Sequence, residues 1–317
     1  MQSFIKTFSL SLVALLIFLG AWDVFAKSIE TSLGTFPTPA STWSAFQDLW
    51  TEYEDERAKR KEYEEGMAEK EKLHYERQER RRVRSEELGK EFTPREFKPA
   101  PYAGKPTYPE QIMRSLTTVF FGFFLASAIA IPLGIFCGMS KGLQTALNPI
   151  IQLLKPVSPL AWLPLVTLVV SAKLSADANM EKSFVISAVV VALCSLWPTL
   201  INTALGVASV SEDHLNVARV LNVPTHVKIF RIVLPSALPY IFAGLRISLG
   251  IGWMVLIAAE MLAQNPGLGK FVWDMFQNGS SKTLGMIMAA VITIGVIGLL
   301  LDRMMYLLEK VFSYERG

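Results

Sequence analysis

Cysteine and histidine are scarce. The 317-residue chain holds two cysteines, Cys137 and Cys194, and three histidines, His74, His214 and His226. Both cysteines lie in apolar runs with no Cys or His at metal-ligand spacing, so they read as packed core thiols and no metal site is expected. The histidines are scattered, and no cluster of His, Asp and Glu suited to a membrane-embedded enzyme is present in the sequence. A phosphate-cradling G-x-x-x-x-G-K-[ST] is also missing. Asn265-Pro266-Gly267-Leu268-Gly269 has the wrong glycine spacing and reads as a turn. Charge of one sign is lacking too: 31 Lys and Arg face 28 Asp and Glu, a formal net charge of +3. Such a balance leaves no electrostatic footprint for nucleic acid.

The chain instead abounds in apolar length. Hydrophobic residues make up 51%, and the mean hydropathy is positive, which implies an all-α integral membrane protein embedded in a lipid bilayer. About six segments are long enough to cross roughly 30 Å of hydrocarbon: 8–25, 115–139, 149–171, 184–207, 240–262 and 284–301. The third carries Lys155 together with Pro149, Pro156, Pro159 and Pro164. A kinked or broken helix is expected there, its freed carbonyls satisfied inside the protein. The first segment has a rival reading as a cleaved signal peptide, with Val24-Phe25-Ala26 before Lys27; Trp22 and Asp23 fit poorly beside such a site.

Lys141, Arg219, Lys228, Arg231, Arg303, Lys310 and Arg316 all fall on one side if the spans alternate. The positive-inside rule makes that side cytoplasmic, with both termini and the 209–235 loop inside and the loops 172–182 and 263–282 outside. The chain then divides into an N-terminal span (1–26), an extracytoplasmic insertion and linker (27–113), a transmembrane core (114–306) with a cytoplasmic loop (208–236), and a cytoplasmic tail (307–317).

Residues 52–98 are dense in Glu, Lys and Arg and nearly lack an apolar stripe. Pairs such as Lys61 with Glu65 and Glu76 with Arg80, four apart, support a long solvated helix. It reads either as a surface spacer or as a docking arm for an external solute-binding protein. Residues 97–109, rich in Pro, Tyr and Gly, read as an irregular linker back to the membrane.

The loop SVSEDHLNVARVLNVPTHVKIFRIVLP (209–235) interrupts the spans with polar, helix-like sequence. Ser209 and Glu212 have capping-box spacing, predicting a helix from near Val210 that ends at Asn222, a residue tolerant of the left-handed conformation. Pro224 and Thr225 permit a second start, with Val227, Phe230 and Leu234 along one face. Two short helices at an angle form a knob for a soluble partner; a helix lying on lipid is the alternative.

This loop resembles the EAA motif of importer-type ATP-binding-cassette (ABC) permeases: Glu-Ala-Ala, three residues, Gly, nine residues, Ile, any residue, Leu-Pro. Asn216, Val217 and Ala218 occupy the triplet, Asn222 the glycine position, and Ile232, Leu234 and Pro235 the closing positions, with every spacing kept. Asn216, Val217 and Asn222 depart in identity, which removes the carboxylate from the triplet. The runs LKPVSPLAWLPLVTLV, LCSLWPTLINTALGV, LPYIFAGLRISLGIGWMVLIAAEMLAQNPGLGKFVWD and IGLLLDRMM extend the likeness to the nitrate/sulfonate/bicarbonate group, and within it to bacterial nitrate permeases. Bicarbonate, cyanate, taurine and alkanesulfonate permeases share much of the pattern.

The resemblance implies a type I importer permease of the bacterial inner membrane, working as a homodimer around one pathway. Each copy would seat its loop in a cytoplasmic ABC ATPase, and an external solute-binding protein would deliver the anion. It implies no cofactor on this chain, ATP and Mg2+ being held by the ATPase, and therefore no enzyme activity of its own. A secondary transporter would instead show internal repeats with paired broken helices, and only one broken span is visible.

Ionisable groups inside spans are functional candidates by default. Arg246 can attract an anion, or serve as a structural anchor or headgroup contact near the cytoplasmic face, and Glu260 suits a hydrogen-bonded structural or gate role with the Gln264–Asn265 turn. Ser158, Ser195, Thr199, Asn202 and Thr203 offer neutral hydrogen bonds to an anion, or bond back to their own helices.

Overall fold

A computed structural model of the chain describes residues 2–31, 34–89, 91–174 and 180–313. Arg316, at the end of the expected tail, and much of the 172–182 loop lie outside the described residues. Among the described residues five helices are long and apolar enough to cross a membrane, and a bent helix pair supplies a sixth, broken span. They are α1 (Gln2–Ser28), α3 (Tyr108–Met139), the pair α4 (Lys141–Leu154) and α5 (Pro159–Lys173), α6 (Lys182–Ala208), α9 (Leu234–Ala263) and α11 (Ser281–Ser313). The expected spans fall within these elements, and the break in the third is a bend of 99° between Leu154 and Pro159. Ser158 caps α5 by accepting from the Leu160 amide at 3.3 Å, and Pro159 takes the first helical position, where a missing amide hydrogen costs nothing.

Helix α6 forms the centre, flanked by α3 and α9. Val119 and Phe123 of α3, Ile186, Val190 and Val191 of α6, and Leu249, Trp253 and Leu256 of α9 make the main buried cluster. Lipid is as apolar as these side chains, so close van der Waals packing supplies the attraction between spans. Small residues allow it: a Cβ added at Gly134 of α3 would lie 2.6 Å from the Thr203 Cβ of α6. The span α1 is by contrast only 6% buried. It joins the rest through the antiparallel pair β1 (Glu30–Thr31) and β2 (Gly34–Thr35), and Trp22 Nε1 donates to Pro37 O at 3.0 Å.

The charged segment forms the helix α2 (Pro39–Glu87), which starts and stops earlier than the expected 52–98. Thr38 Oγ1 caps its start by accepting from the Ser41 amide at 3.2 Å, with Pro39 following. Gly89, at φ +63°, lies just beyond its end. Its first turns are not a solvated arm: Ala45 and Leu49 are buried against Met286, Ala289 and Ala290 of α11 and Phe271 of α10 (Leu268–Asn278), and Asp48 pairs with Lys282 at 3.1 Å.

Beyond that base, the irregular linker runs back along the helix rather than away from it. His74 and Gln78 bond the Arg95 carbonyl, Tyr63 Oη donates to Ala100 O at 2.9 Å, and Tyr102 Oη donates to Glu56 at 2.9 Å. Arg60 pairs with Glu110 at 2.7 Å, which raises its pKa further above the usual guanidinium value. Positions 56, 60, 63, 74 and 78 share one helical face, so the stripe that docks the linker is polar and escapes a search for apolar periodicity. The arm and the 209–235 loop project from opposite ends of the bundle: the arm meets the first turns of α3 and α11, and the loop joins the last turn of α6 to the first of α9.

Candidate functional site

The loop builds a knob. Ser211, not Ser209, lies at the start of α7 (Glu212–Val220): its Oγ accepts from the Asp213 amide at 3.3 Å. The Ser209 hydroxyl is already engaged by Gly206 O of the preceding helix at 2.9 Å, so the new helix begins two residues later than the capping-box spacing indicated. The Glu212 and Arg219 side chains lie outside the described residues. Asn222 adopts φ +50°, and the Val223 amide closes the turn on Ala218 O at 2.9 Å. Pro224 then opens α8 (Thr225–Lys228), which passes through a π turn (Ile229–Val233) into α9. The ring of Pro235 would strike the carbonyl four residues back, and the wider turn accommodates it.

Burial divides the knob into a root and a tip. Ala218, Val210 and Val233 are buried, the last two with Val207, Ala237 and Ile241, and Ile232 and Leu234 pack partly against them. Val227 and Pro235 are half-buried, so the expected Val227–Phe230–Leu234 face does not stand free as a unit. Phe230 does, at 68% exposure, together with Val217 (58%), Val220 (81%) and Leu221 (69%). Asn216 is exposed beside them. Val220 and Leu221 lie three and four residues after Val217, a helical spacing that marks the same tip in the sequence.

The polar residues of the spans occupy separate places. Ser195, Thr199 and Thr203 are fully buried in the seams of α6 with its neighbours. Thr199 Oγ1 lies 2.7 Å from Ser248 Oγ, which also accepts from the Thr199 amide, and Ser195 Oγ bonds back to Val191 O at 2.7 Å. Thr203 packs on Gly134, and among the described residues its hydroxyl has no hydrogen-bond partner. Asn202 Nδ2 returns to Pro198 O at 2.8 Å. Ser158 alone of these hydroxyl residues is exposed, at the α4–α5 break.

The two ionisable candidates have partners that the sequence did not indicate. Arg246 makes a bidentate pair with Asp302 of α11 (2.6 and 2.8 Å), its guanidinium 5.5 Å from the Tyr306 ring centroid. This ties α9 to α11. Glu260 is fully buried and accepts from Ser115 Oγ of α3 at 2.8 Å and from the Gly269 amide at 2.9 Å. Ser115 Oγ in turn accepts from the Leu268 amide at 2.9 Å, so one carboxylate gathers α3, α9 and the first turn of α10. Asn265, in the intervening turn, is buried with Ser183 Oγ 3.3 Å from its Oδ1. Among the described residues no group of His, Cys, Asp and Glu could hold a metal ion.

The model of the family described as binding-protein-dependent transport system inner membrane component matches residues 130–314. The nitrate import permease of Synechococcus elongatus is 40% identical over 203 residues, 64% of this chain and 69% of its own. That of Synechocystis is 42% identical over 200 residues (63% and 68%). The bicarbonate transport permease of Synechococcus elongatus is 40% identical over 201 residues (63% and 68%). Among solved structures, the inward-facing MetNI methionine ABC transporter superposes with a TM-score of 0.55 at 13% identity, covering 65% of this chain and 95% of that one.

Proposed function

The chain belongs to the inner membrane components of binding-protein-dependent transport systems, the permease subunits of ABC importers, and from that membership we propose that it carries nitrate. The observation behind the choice of cargo is the identity of 40–42% to nitrate permeases over 200–203 residues. Bicarbonate is the second reading, favoured by an identity of the same size.

We infer a pore made of two copies of this chain. The tip formed by Val217, Val220, Leu221 and Phe230 enters a cleft of the ATPase, where its exposed apolar area is covered. Asn222 holds α7 and α8 at the angle that presents this tip, and the buried root transmits its movement to α6 and α9. ATP binding and hydrolysis on the separate subunit then alternate the access of the pore, and this chain performs no hydrolysis. The loop and both termini are cytoplasmic on the charge asymmetry of the short loops, which puts α2 outside, where the solute-binding protein arrives. Exposed Trp43, Trp50 and Phe276 near the base of α2 suit the aromatic belt of that interface.

In vesicles holding the permease, its ATPase and the external binding protein, nitrate uptake requires ATP and the binding protein. Competition by bicarbonate separates the two cargoes. Uptake driven by an ion gradient without the ATPase overturns the reading.

A further inference from the structure

The broken span has three faces. Along α4, Leu147, Ile151 and Leu154 turn toward the bundle, with Ile151 packed on Ala130 of α3 and Leu200 of α6. Leu143, Ile150 and Leu153 form an exposed apolar face suited to lipid. Between them Gln144, Asn148, Gln152 and Lys155, spaced four, four and three apart, form an exposed polar stripe. A polar stripe on a membrane span does not face hydrocarbon, so this one faces water or protein.

The stripe climbs from the knob end of the bundle. Ala130 lies nine residues before the end of α3 at Met139, and Leu200 eight before the end of α6 at Ala208. At about 1.5 Å per residue, Ile151 is therefore some 12–14 Å into a core roughly 30 Å thick. Lys155 stands one turn further, at the break. The other intramembrane charges, Arg246 and Glu260, have the partners described above; among the described residues Lys155 has no ion pair or side-chain hydrogen bond. Three residues further on, exposed Ser158 opens the 15-residue helix α5 on the far side of the break.

We propose that Lys155 is an anion-binding station in the translocation pathway, reached from the cytoplasmic side along Gln144, Asn148 and Gln152. The inference rests on the anion-importer reading above. A compact ammonium group contacts a small oxyanion without demanding a fixed orientation, and neutral amides along the stripe pass it on without a second charge to hold it. The buried hydroxyls of Ser195, Thr199 and Thr203 take no part in this pathway.

The test uses the complete complex in vesicles, with nitrate uptake read per ATP hydrolysed and assembly checked by co-purification. Lys155→Gln lowers that ratio about ten- to a hundredfold, the factor carried by a charge-assisted hydrogen bond, and Lys155→Arg retains most of it. Lys155→Cys is as poor as Lys155→Gln; a cationic aminoethyl thiol reagent restores uptake and an anionic sulfonatoethyl reagent does not, with the parent bearing Cys137 and Cys194 as control. Restoration by charge is a response that a merely structural lysine does not give. Undiminished uptake by Lys155→Gln, or equal effects of the two reagents, overturns the role of Lys155 alone. Absence of nitrate, bicarbonate or sulfonate uptake by the parent complex overturns the anion reading and this role with it.

Discussion

The Glu260 clamp makes a quantitative prediction about the end of the bundle that carries the arm. Replacing Glu260 with alanine strips the acceptor from two buried donors, Ser115 Oγ and the Gly269 amide. Each unsatisfied buried donor costs about 1–3 kcal/mol, so α10 should lose about 2–6 kcal/mol of its hold on α3 and α9, at least a thirtyfold rise in local opening. Gly267 supplies the second arm of the experiment. Its backbone is extended, at φ 163°, so alanine is tolerated conformationally, but the added Cβ would fall on the Glu260 carboxylate. Gly267→Ala alone must displace the carboxylate from its hydrogen bonds; in the Glu260→Ala background that obstacle is gone. The two changes are therefore strongly non-additive, with a coupling of about 1–3 kcal/mol. Hydrogen exchange of peptides covering 264–278, in detergent or nanodiscs, reads the opening directly. Unchanged protection in Glu260→Ala, or simple additivity of the pair, refutes the clamp.

Three further outcomes follow from the same geometry. Phe230→Asp abolishes co-purification of the ATPase while the permease still folds, because the new charge is unpaired only when the tip is buried; normal ATPase binding removes Phe230 from the interface. Asn222→Gly is nearly neutral in ATPase coupling, whereas Asn222→Val, forced to φ +50° at a cost of about 1–2 kcal/mol, disrupts the knob; equal behaviour of the two variants contradicts a role for the left-handed turn. For the arm, Leu49→Asp destabilises the bundle while removal of 52–105 leaves it assembled, and a cysteine at Ser85 reacts with an impermeant reagent from the outside; labelling from the cytoplasmic side alone reverses the topology.

The helical membrane class and the break in the third span were legible because length, hydropathy and proline position act locally. Asn222 was legible for the same reason: few residues accept a positive φ, and one stood where the chain had to turn. Partners across the bundle were not. Nothing near Arg246 in the sequence points to Asp302, 56 residues on, and nothing near Glu260 points to Ser115, 145 residues back. These pairs exist only once α11 and α3 are packed on α9. Polarity alone left two readings for the hydroxyl-bearing residues of α6, a passage or bonds back to their own helix; their helix is closely enclosed, Ser195 bonds back to Val191 O, and Thr199 meets Ser248 across the seam.

Base and linker of the arm show the converse difficulty. Ala45 and Leu49 are too few to form a visible apolar period, yet two small turns of surface suffice against the alanines of α11. Glu56, Arg60, Tyr63, His74 and Gln78 carry the ordinary signature of a solvated face, and their helical spacing acquires meaning only when the linker lies along it. Polar stripes therefore have two fates in this chain. On α2, outside the apolar length of the spans, the stripe is covered by the chain's own carbonyls and side chains; on α4, within it, the stripe from Gln144 to Lys155 has no such cover among the described residues. Water covers an exposed polar face at no cost outside a membrane, but inside one the face must find water, a second protein surface or a ligand. The unaccompanied stripe of α4 is for that reason the more informative of the two.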